Sequence, residues 1–243
     1  MSRFFHDQPM ADQQELLLSE ATSHHLLRVL RAKPGTQLIL FDGSGMQCLA
    51  ELLSSERKLA RVRLLDQQWP QVESPLWTQL ALAISKGDRV DIAVQKAVEL
   101  GVSSIQPLAT ERSELRLTPD RQAKKQHHWQ QIADSACEQS GRVRRVEVLT
   151  PLTLEQWLRD LPILAVGELR LVLHPRAAQP LASHQRPERL CLMVGPEGGF
   201  SDAEIDLACQ YQFHSTLIGP RVLRTETAPI VALSLAQSLW GDF

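Results

Sequence analysis

The chain has 243 residues, of which 43% are hydrophobic and 22% are charged. This composition is typical of a folded globular protein and excludes a disordered or fibrous chain. The 26 Lys and Arg side chains are balanced by 28 Asp and Glu, for a formal net charge of −2. No general positive field points to a nucleic-acid partner, so any polyanion must be bound through a local cluster of cations.

Cysteine usage and hydrophobic runs indicate a cytoplasmic protein. The four cysteines include no C-x-x-C pair and are too few for a disulfide scaffold, so we interpret them as reduced thiols. The N-terminal stretch M-S-R-F-F-H-D-Q-P lacks the apolar core of a signal peptide. No window reaches the roughly 18 consecutive apolar residues of a membrane-spanning helix. We therefore expect neither secretion nor membrane insertion.

Residues 1–70 are typical of a small β-rich, barrel-like domain. The apolar spacing of Leu26, Leu27, Val29 and Leu30 predicts one helix over 20–31, and Lys33-Pro34-Gly35 ends it. The predicted strands span 36–41, 46–53 and 59–65, and the turn D-G-S-G separates the first two.

Residues 71–77 form a predicted linker, because prolines at 70 and 75 flank a stretch with no clear period. From 78 to 243 strands and helices alternate, which predicts an α/β domain with a parallel sheet covered by helices. Its predicted strands span 79–85, 104–108, 170–174, 190–194 and 215–218, and its predicted helices 89–100, 120–140, 201–210 and 227–240.

The sequence lacks the motifs of several common phosphate-, dinucleotide- and metal-binding sites. The chain has no G-x-x-x-x-G-K-[ST] phosphate loop, and Gly43-Ser44-Gly45 joins two strands where a dinucleotide fingerprint would join a strand to a helix. The pairs His24-His25 and His127-His128 point in diverging directions on a helix, and no Cys or carboxylate spacing completes a metal site. We expect no metal, and a nucleotide-dependent oxidoreductase is a distant alternative.

The stretch V-G-P-E-G-G-F-S-D-A-E at 194–204 is the first candidate site. A buried strand enters a turn with three glycines and a proline, and Ser201 then begins a helix with Glu204 in capping-box position. Open α/β sheets bind small ligands at the carboxyl ends of their strands. An equally good interpretation is a tight βα turn that needs glycine at positive φ.

A second loop, I-G-P-R-V-L-R-T-E-T-A-P at 218–229, also follows a short apolar strand and precedes a helix. It carries two arginines, two threonines and a glutamate, which predicts one pocket shared with the first loop. The alternative is that Arg221 and Arg224 are solvated, while Thr225 or Thr227 caps the last helix.

These motifs together resemble a known family. The two loops carry the motifs M-V-G-P-E-G-G-F-S-x-x-E and L-I-G-P-R-V-L-R-T-E-T-A, and two earlier motifs are K-G-D-R-V-D-I-A-V-Q-K-A-V-E-L-G-V and A-C-E-Q-S-G-R. Together the four motifs resemble those of the RsmE family. That family comprises the 16S ribosomal RNA uridine-N3 methyltransferases of the SPOUT superfamily. The resemblance extends over nearly the whole chain, because it includes R-F-F at 3–5, H-L-L-R-V-L-R at 25–31 and F-D-G-S-G at 41–45.

The resemblance implies a PUA-like RNA-binding β-barrel followed by an α/β parallel-sheet domain with a deep trefoil knot, and a homodimer. It also implies S-adenosylmethionine bound in bent form inside the knot. The matching cofactor residues are Leu173, His174, Pro175, Gly195, Pro196, Glu197, Gly198, Ile218, Gly219, Leu223, Arg224 and Thr225. One departure is that Val143 and Val146 stand where the family has asparagine and proline after Gly141-Arg142.

Methylation at uridine N3 needs an acceptor for the imide proton and a cation for the imide anion. Glu197 or Glu226 is the candidate base, and Arg221 or Arg224 the candidate anion stabiliser. Equally, both glutamates could fix loop geometry through hydrogen bonds to backbone amides.

Clustered cations are the candidate phosphate contacts of an RNA partner, although such runs are usually solvated faces. The predicted RNA-binding residues are Arg28, Arg31, Lys33, Arg61, Arg63 and Arg142. We thus predict an S-adenosylmethionine-dependent methyltransferase of uridine N3 in 16S ribosomal RNA, active in ribosome biogenesis. The rival is a non-catalytic RNA-binding assembly factor that retains the fold.

Overall fold

The structure is a computed structural model that describes residues 1–113 and 118–243. The chain forms two compact units. The first comprises residues 1–73 and 137–145, and the second comprises residues 74–136 and 146–243. Within the described residues, no helix is both long enough and apolar enough to cross a membrane.

The first unit is built on a five-stranded sheet. Its strands are β1 (Arg3–Phe5), β2 (Glu15–Leu17), β3 (Gln37–Phe41), β4 (Gln47–Glu56) and β5 (Leu59–Gln68), in the order β1-β3-β4-β5-β2. β1 runs parallel to β3, and the other pairs are antiparallel. Buried and less buried residues alternate along β4 and β5, as expected for strands with one face on a core. The predicted β-rich domain is thus confirmed.

The helix predicted over 20–31 is present, but it ends at Val29 and is not α-helical throughout. Only Glu20–His24 is α-helical (α1), capped by Ser19, and His25–Val29 forms a wider π-helical turn. In that turn the Leu30 amide donates to the His25 carbonyl five residues back, at 2.9 Å. The chain then leaves through Arg31 at φ 53°. Such irregular turns occur often at functional sites.

Residues 137–145 join the first unit through Glu73. One carboxylate oxygen of Glu73 accepts from the Arg142 guanidinium at 2.6 and 2.9 Å, and the other accepts from the backbone amides of Val143 and Arg144, both at 3.0 Å. Arg3 donates to the carbonyls of Gly141 and Arg142 at 3.1 and 3.2 Å. A segment predicted as part of the α/β domain is therefore bonded to the first unit.

The second unit contains an eight-stranded parallel sheet. Its strands are β6 (Trp77–Ala83), β7 (Ser104–Ala109), β8 (Glu147–Val148), β9 (Leu152–Thr153), β10 (Glu168–Leu173), β11 (Gln179–Pro180), β12 (Arg189–Val194) and β13 (His214–Leu217). The order is β11-β13-β10-β12-β6-β7-β8, with β9 also paired to β7. β6 and β12 are apolar and buried over most of their length, as is typical of strands covered on both faces.

Five helices accompany this sheet in the described residues: α2 (Arg89–Glu99), α3 (Pro119–Ser140), α4 (Leu154–Asp160), α5 (Asp202–Gln210) and α6 (Thr227–Trp240). The last four residues of α3 belong to the first unit. The parallel α/β fold is confirmed, while α4 and the shortest strands were not predicted. The trefoil knot stays a prediction.

We expect Glu73→Gln to destabilise the first unit by about 3 kcal/mol, because it removes a carboxylate charge that is paired with a buried guanidinium. The Arg142 side chain is only 8% exposed. Urea unfolding followed by circular dichroism measures the effect. Glu56→Gln is the matched control, since Glu56 forms an exposed pair with Arg61, and it should leave the unfolding midpoint unchanged. Equal midpoints for both variants would contradict the role given to Glu73.

Candidate active site

The predicted cofactor segments emerge from neighbouring strands at one edge of the sheet. Residues 173–175, 195–198 and 218–225 follow β10, β12 and β13, and β10 lies between the other two. Leu173 at the end of β10 is paired with Thr216 of β13, and the His174 amide donates to the Thr216 carbonyl at 3.0 Å. Parallel strands end at the same edge, so the sheet brings these three segments together.

The loop after β12 is a tight turn, and glycine is required at its positions 195 and 199 for different reasons. The Gly199 amide donates to the Pro196 carbonyl at 2.9 Å, and Gly199 has φ 68°, as the turn interpretation predicts. At Gly195 the reason is space, because a Cβ would lie 3.1 to 3.3 Å from the ring and amide of Phe200. The turn at Gly199 and the close packing of Gly195 against Phe200 therefore both require glycine in this loop.

The predicted capping box is confirmed at the start of α5. The Ser201 hydroxyl accepts from the Glu204 amide at 3.3 Å, and the Glu204 carboxylate accepts from the Ser201 amide at 2.9 Å. Arg112, which the sequence did not single out, donates to the carbonyls of Gly198 and Phe200 at 2.7 and 3.3 Å. These bonds fix the C-terminal half of the loop.

The loop after β13 presents its two arginines to solvent. Arg221 and Arg224 are exposed, Thr225 is buried and Glu226 is partly buried. Glu226 occupies the N-cap position of α6 and makes no capping hydrogen bond, so neither threonine caps this helix as the alternative proposed. Helix capping therefore does not explain why a polar residue, Thr225, is buried at this position.

Both candidate bases meet one cation, Arg89. Its guanidinium is hydrogen-bonded to Glu197, and its Nε lies 3.6 Å from Oε2 of Glu226. The structure thus pairs both glutamates with a side chain, where the alternative expected backbone amides. Arg89 was not predicted, although it lies in the quoted K-G-D-R motif, six residues beyond the end of the buried strand β6. That placement was the signal that could have found it.

Two titratable groups of the second unit have shifted pKa values. Burial raises the pKa of the Cys191 thiol on β12 to about 12, so it is a protonated core group. Burial and the neighbouring His214 lower the pKa of His184. Within the described residues no group of His, Cys, Asp or Glu could hold a metal ion.

The predicted RNA-binding residues lie in the first unit in different surroundings. Arg28, Arg31 and Lys33 are exposed, and the latter two line an open cavity of about 440 Å³ with Leu26, Leu30 and Ala32. Arg61 and Arg63 are ion-paired with Glu56 and Glu15 on the sheet. Arg142 is buried against Glu73, which favours a structural role over RNA contact.

Family models match both parts of the chain. Residues 72–237 match an RNA methyltransferase domain, and residues 18–65 match an RNA methyltransferase PUA domain. The fold and the strand-edge loops are therefore those of an RNA methyltransferase.

Relatives identify the family more closely. The ribosomal RNA small subunit methyltransferase E of Buchnera aphidicola subsp. Schizaphis graminum is 34% identical over 94% of this chain and 92% of its own length. That of Synechocystis sp. is 35% identical over 91% of this chain and 72% of its own. The chain belongs to the ribosomal RNA small subunit methyltransferase E family, as its resemblance to RsmE predicted.

Solved structures agree. A putative methyltransferase from Legionella pneumophila, in complex with the cofactor SAM, has a TM-score of 0.93 and 40% identity, covering 99% of this chain and 98% of that one. The ribosomal RNA small subunit methyltransferase E from Neisseria gonorrhoeae, bound to S-adenosyl methionine, has a TM-score of 0.92 and 38% identity, covering 100% and 99%.

Proposed function

We propose that this protein transfers a methyl group from S-adenosylmethionine to N3 of a uridine in the 16S ribosomal RNA of the small subunit. The observation that carries the proposal is the meeting of three family-matching loops at the carboxyl edge of adjacent parallel strands. The SAM-bound structures at 38% to 40% identity support the cofactor. A cytoplasmic location is part of the proposal, and the four cysteines are free.

The strand-edge loops suit this cofactor. Gly198 is exposed in the loop after β12, the buried Thr225 lies in the loop after β13, and Gly219 at φ 147° leaves the start of that third loop without a side chain. The twelve residues named above, from Leu173 to Thr225, would hold it in bent form. The bound cofactor supplies an electrophilic methyl group on a sulfonium, so the protein has to orient the uridine and move one proton.

Four side chains are assigned to the chemistry. Glu197 or Glu226 takes the N3 proton, and Arg221 or Arg224 stabilises the imide anion. The exposure of both arginines leaves their guanidinium groups free to reach a substrate, and a well-placed acid or base contributes about 10²–10⁴-fold to a rate. Membership of a methyltransferase family favours this enzyme over the non-catalytic assembly factor.

We expect the wild-type protein to bind about one S-adenosylmethionine per chain and to produce 3-methyluridine in small subunits that lack it. Calorimetry and mass spectrometry of RNA digests measure the two results. Gly198→Trp should abolish both, because a Cβ there meets only the flexible Arg112 side chain and the indole would extend over the loop. Gln210→Trp, at the exposed end of α5, is the control. Cofactor binding without methyl transfer would favour the assembly factor.

RNA affinity is assigned to the first unit. The cavity beside the π-helical turn combines apolar Leu26 and Leu30 with the cations Arg31 and Lys33. The apolar walls of this cavity can pack against an unstacked base, and its cations can pair with the neighbouring phosphates. Arg28 adds a third exposed cation next to this cavity in sequence.

Lys33→Gln should weaken RNA binding and reduce the slope of log K against log salt by about one, because one phosphate contact is lost. Arg31→Asn should do the same, since asparagine tolerates the φ of 53° found there. Filter binding over a range of salt concentrations measures the slope. Lys124→Gln, an exposed lysine of α3, serves as the control. Slopes equal to that of the wild type would exclude these residues as phosphate contacts.

A homodimer completes the proposal. α6 is apolar around most of its circumference, so apolar side chains remain exposed when one face is buried: Leu235 is 37% exposed and Leu239 is 43% exposed. α6 packs on α2, and α2 has an exposed apolar side chain of its own, Ile92. Apolar surface shared by two packed helices is typical of an association face.

Leu239→Lys should convert a dimer into a monomer in sedimentation velocity experiments, because a buried lysine without a partner opposes association. Ile163→Lys is the control, since Ile163 is 94% exposed in the loop after α4. A monomeric wild type, or a dimer in both variants, would contradict this assignment.

A further inference from the structure

Arg89 is the cation around which the candidate bases are arranged. It lies in the first turn of α2, where the chain has just left β6, and it contacts Glu197 from the loop after β12 and Glu226 from the loop after β13. Two carboxylates share one guanidinium, so the three groups together carry one net negative charge. No role has so far been given to Arg89 in the reaction.

The two glutamates differ in their surroundings. Glu197 is 38% exposed and is hydrogen-bonded by Arg89. The Glu226 side chain is 18% exposed, and its Oε2 atom is buried with no hydrogen-bond partner in the described part of the chain. At 3.6 Å the Arg89 Nε holds this oxygen by charge and lies beyond hydrogen-bonding distance.

A buried acceptor without a donor is uncommon in a folded protein. The N3–H group of a uracil ring is a donor of the right kind for the Oε2 atom of Glu226. A second polar group lies in the segment between β6 and α2: the hydroxyl of Ser85, a residue that is only 5% exposed, is buried and also lacks a partner among the described residues. Because Leu82 is paired with Val194, this turn begins at the same sheet edge as the loop after β12.

We propose that Glu226 is the proton acceptor of the reaction and that Arg89 is its positioning residue, fixed in turn by Glu197. This inference rests on the proposed function. Glu226 Oε2 takes the proton from N3, and the electron pair left on N3 forms the bond to the methyl carbon. The carbon–sulfur bond breaks, and its electron pair stays on sulfur as a neutral thioether.

Charge balance supports this assignment. Before the step, the net negative charge of Arg89, Glu197 and Glu226 matches the single positive charge of a sulfonium. After the step, the protonated Glu226 is neutral and Glu197 alone balances Arg89. The charge of the three side chains therefore balances that of the cofactor sulfur at both stages, which matters where charges are partly removed from water.

The test compares Glu226→Gln, Glu197→Gln, Arg89→Met and Arg89→Lys with the exposed controls Glu155→Gln and Arg159→Met, both on α4. Methyl transfer to small subunits gives kcat and KM, and calorimetry gives the Kd for S-adenosylmethionine. We expect Glu226→Gln to lower kcat at least 100-fold while Kd stays within about twofold of wild type. Arg89→Met should lower kcat about as much, Arg89→Lys should restore part of it, and Glu197→Gln should lower it less.

The double variant Glu226→Gln with Arg89→Met should lose no more activity than Glu226→Gln alone, because the two residues act as one unit. Wild-type kcat in Glu226→Gln or in Arg89→Met would overturn the inference. A large rise in Kd at unchanged kcat would overturn it too, by assigning Glu226 to the amino group of the cofactor. If the wild type itself transfers no methyl group, the proposed function fails first, and that outcome is distinct from these.

Discussion

Parallel pairing of β6, β12, β10 and β13 is the constraint on which the candidate site depends. Strands that run in one direction end at one edge, so the segments following Ala83, Val194, Leu173 and Leu217 meet although they are distant in sequence. A single antiparallel strand among these four would have sent its loop to the opposite edge. The sheet thus supplies proximity, and the loops need to supply only local geometry and charge.

The ion pair between Arg89 and Glu197 at that edge contributes little to stability. Arg89 and Glu197 are 41% and 38% exposed, and ion pairs this accessible contribute little to folding. The bonds that hold the loop after β12 are instead those of Arg112 to backbone carbonyls and of Ser201 with Glu204. Because those bonds fix its backbone, Glu197 is available for the role proposed above.

Local patterns predicted the parts of the molecule that depend on neighbours in sequence. The buried strands, the helix at 227–240 and the capping box at Ser201 follow from periodicity and from bonds spanning three residues. The π-helical turn was missed because its apolar residues have the spacing of an ordinary helix. Arg89 and the Glu73–Arg142 pair were missed because their partners lie 108 and 69 residues away, a separation that no local pattern records.

The net negative charge of the group formed by Arg89, Glu197 and Glu226 sets a condition on how the RNA is bound. A phosphate backbone is repelled by the net charge of Arg89, Glu197 and Glu226, and the chain as a whole carries −2. Affinity for RNA must therefore come from cations outside these three side chains. Arg28, Arg31 and Lys33 in the first unit are exposed and are the cations proposed for this role, whereas Arg142 is neutralised by Glu73. In this proposal the RNA-binding charges and the reacting charges are separate, so each set keeps the sign that its task needs.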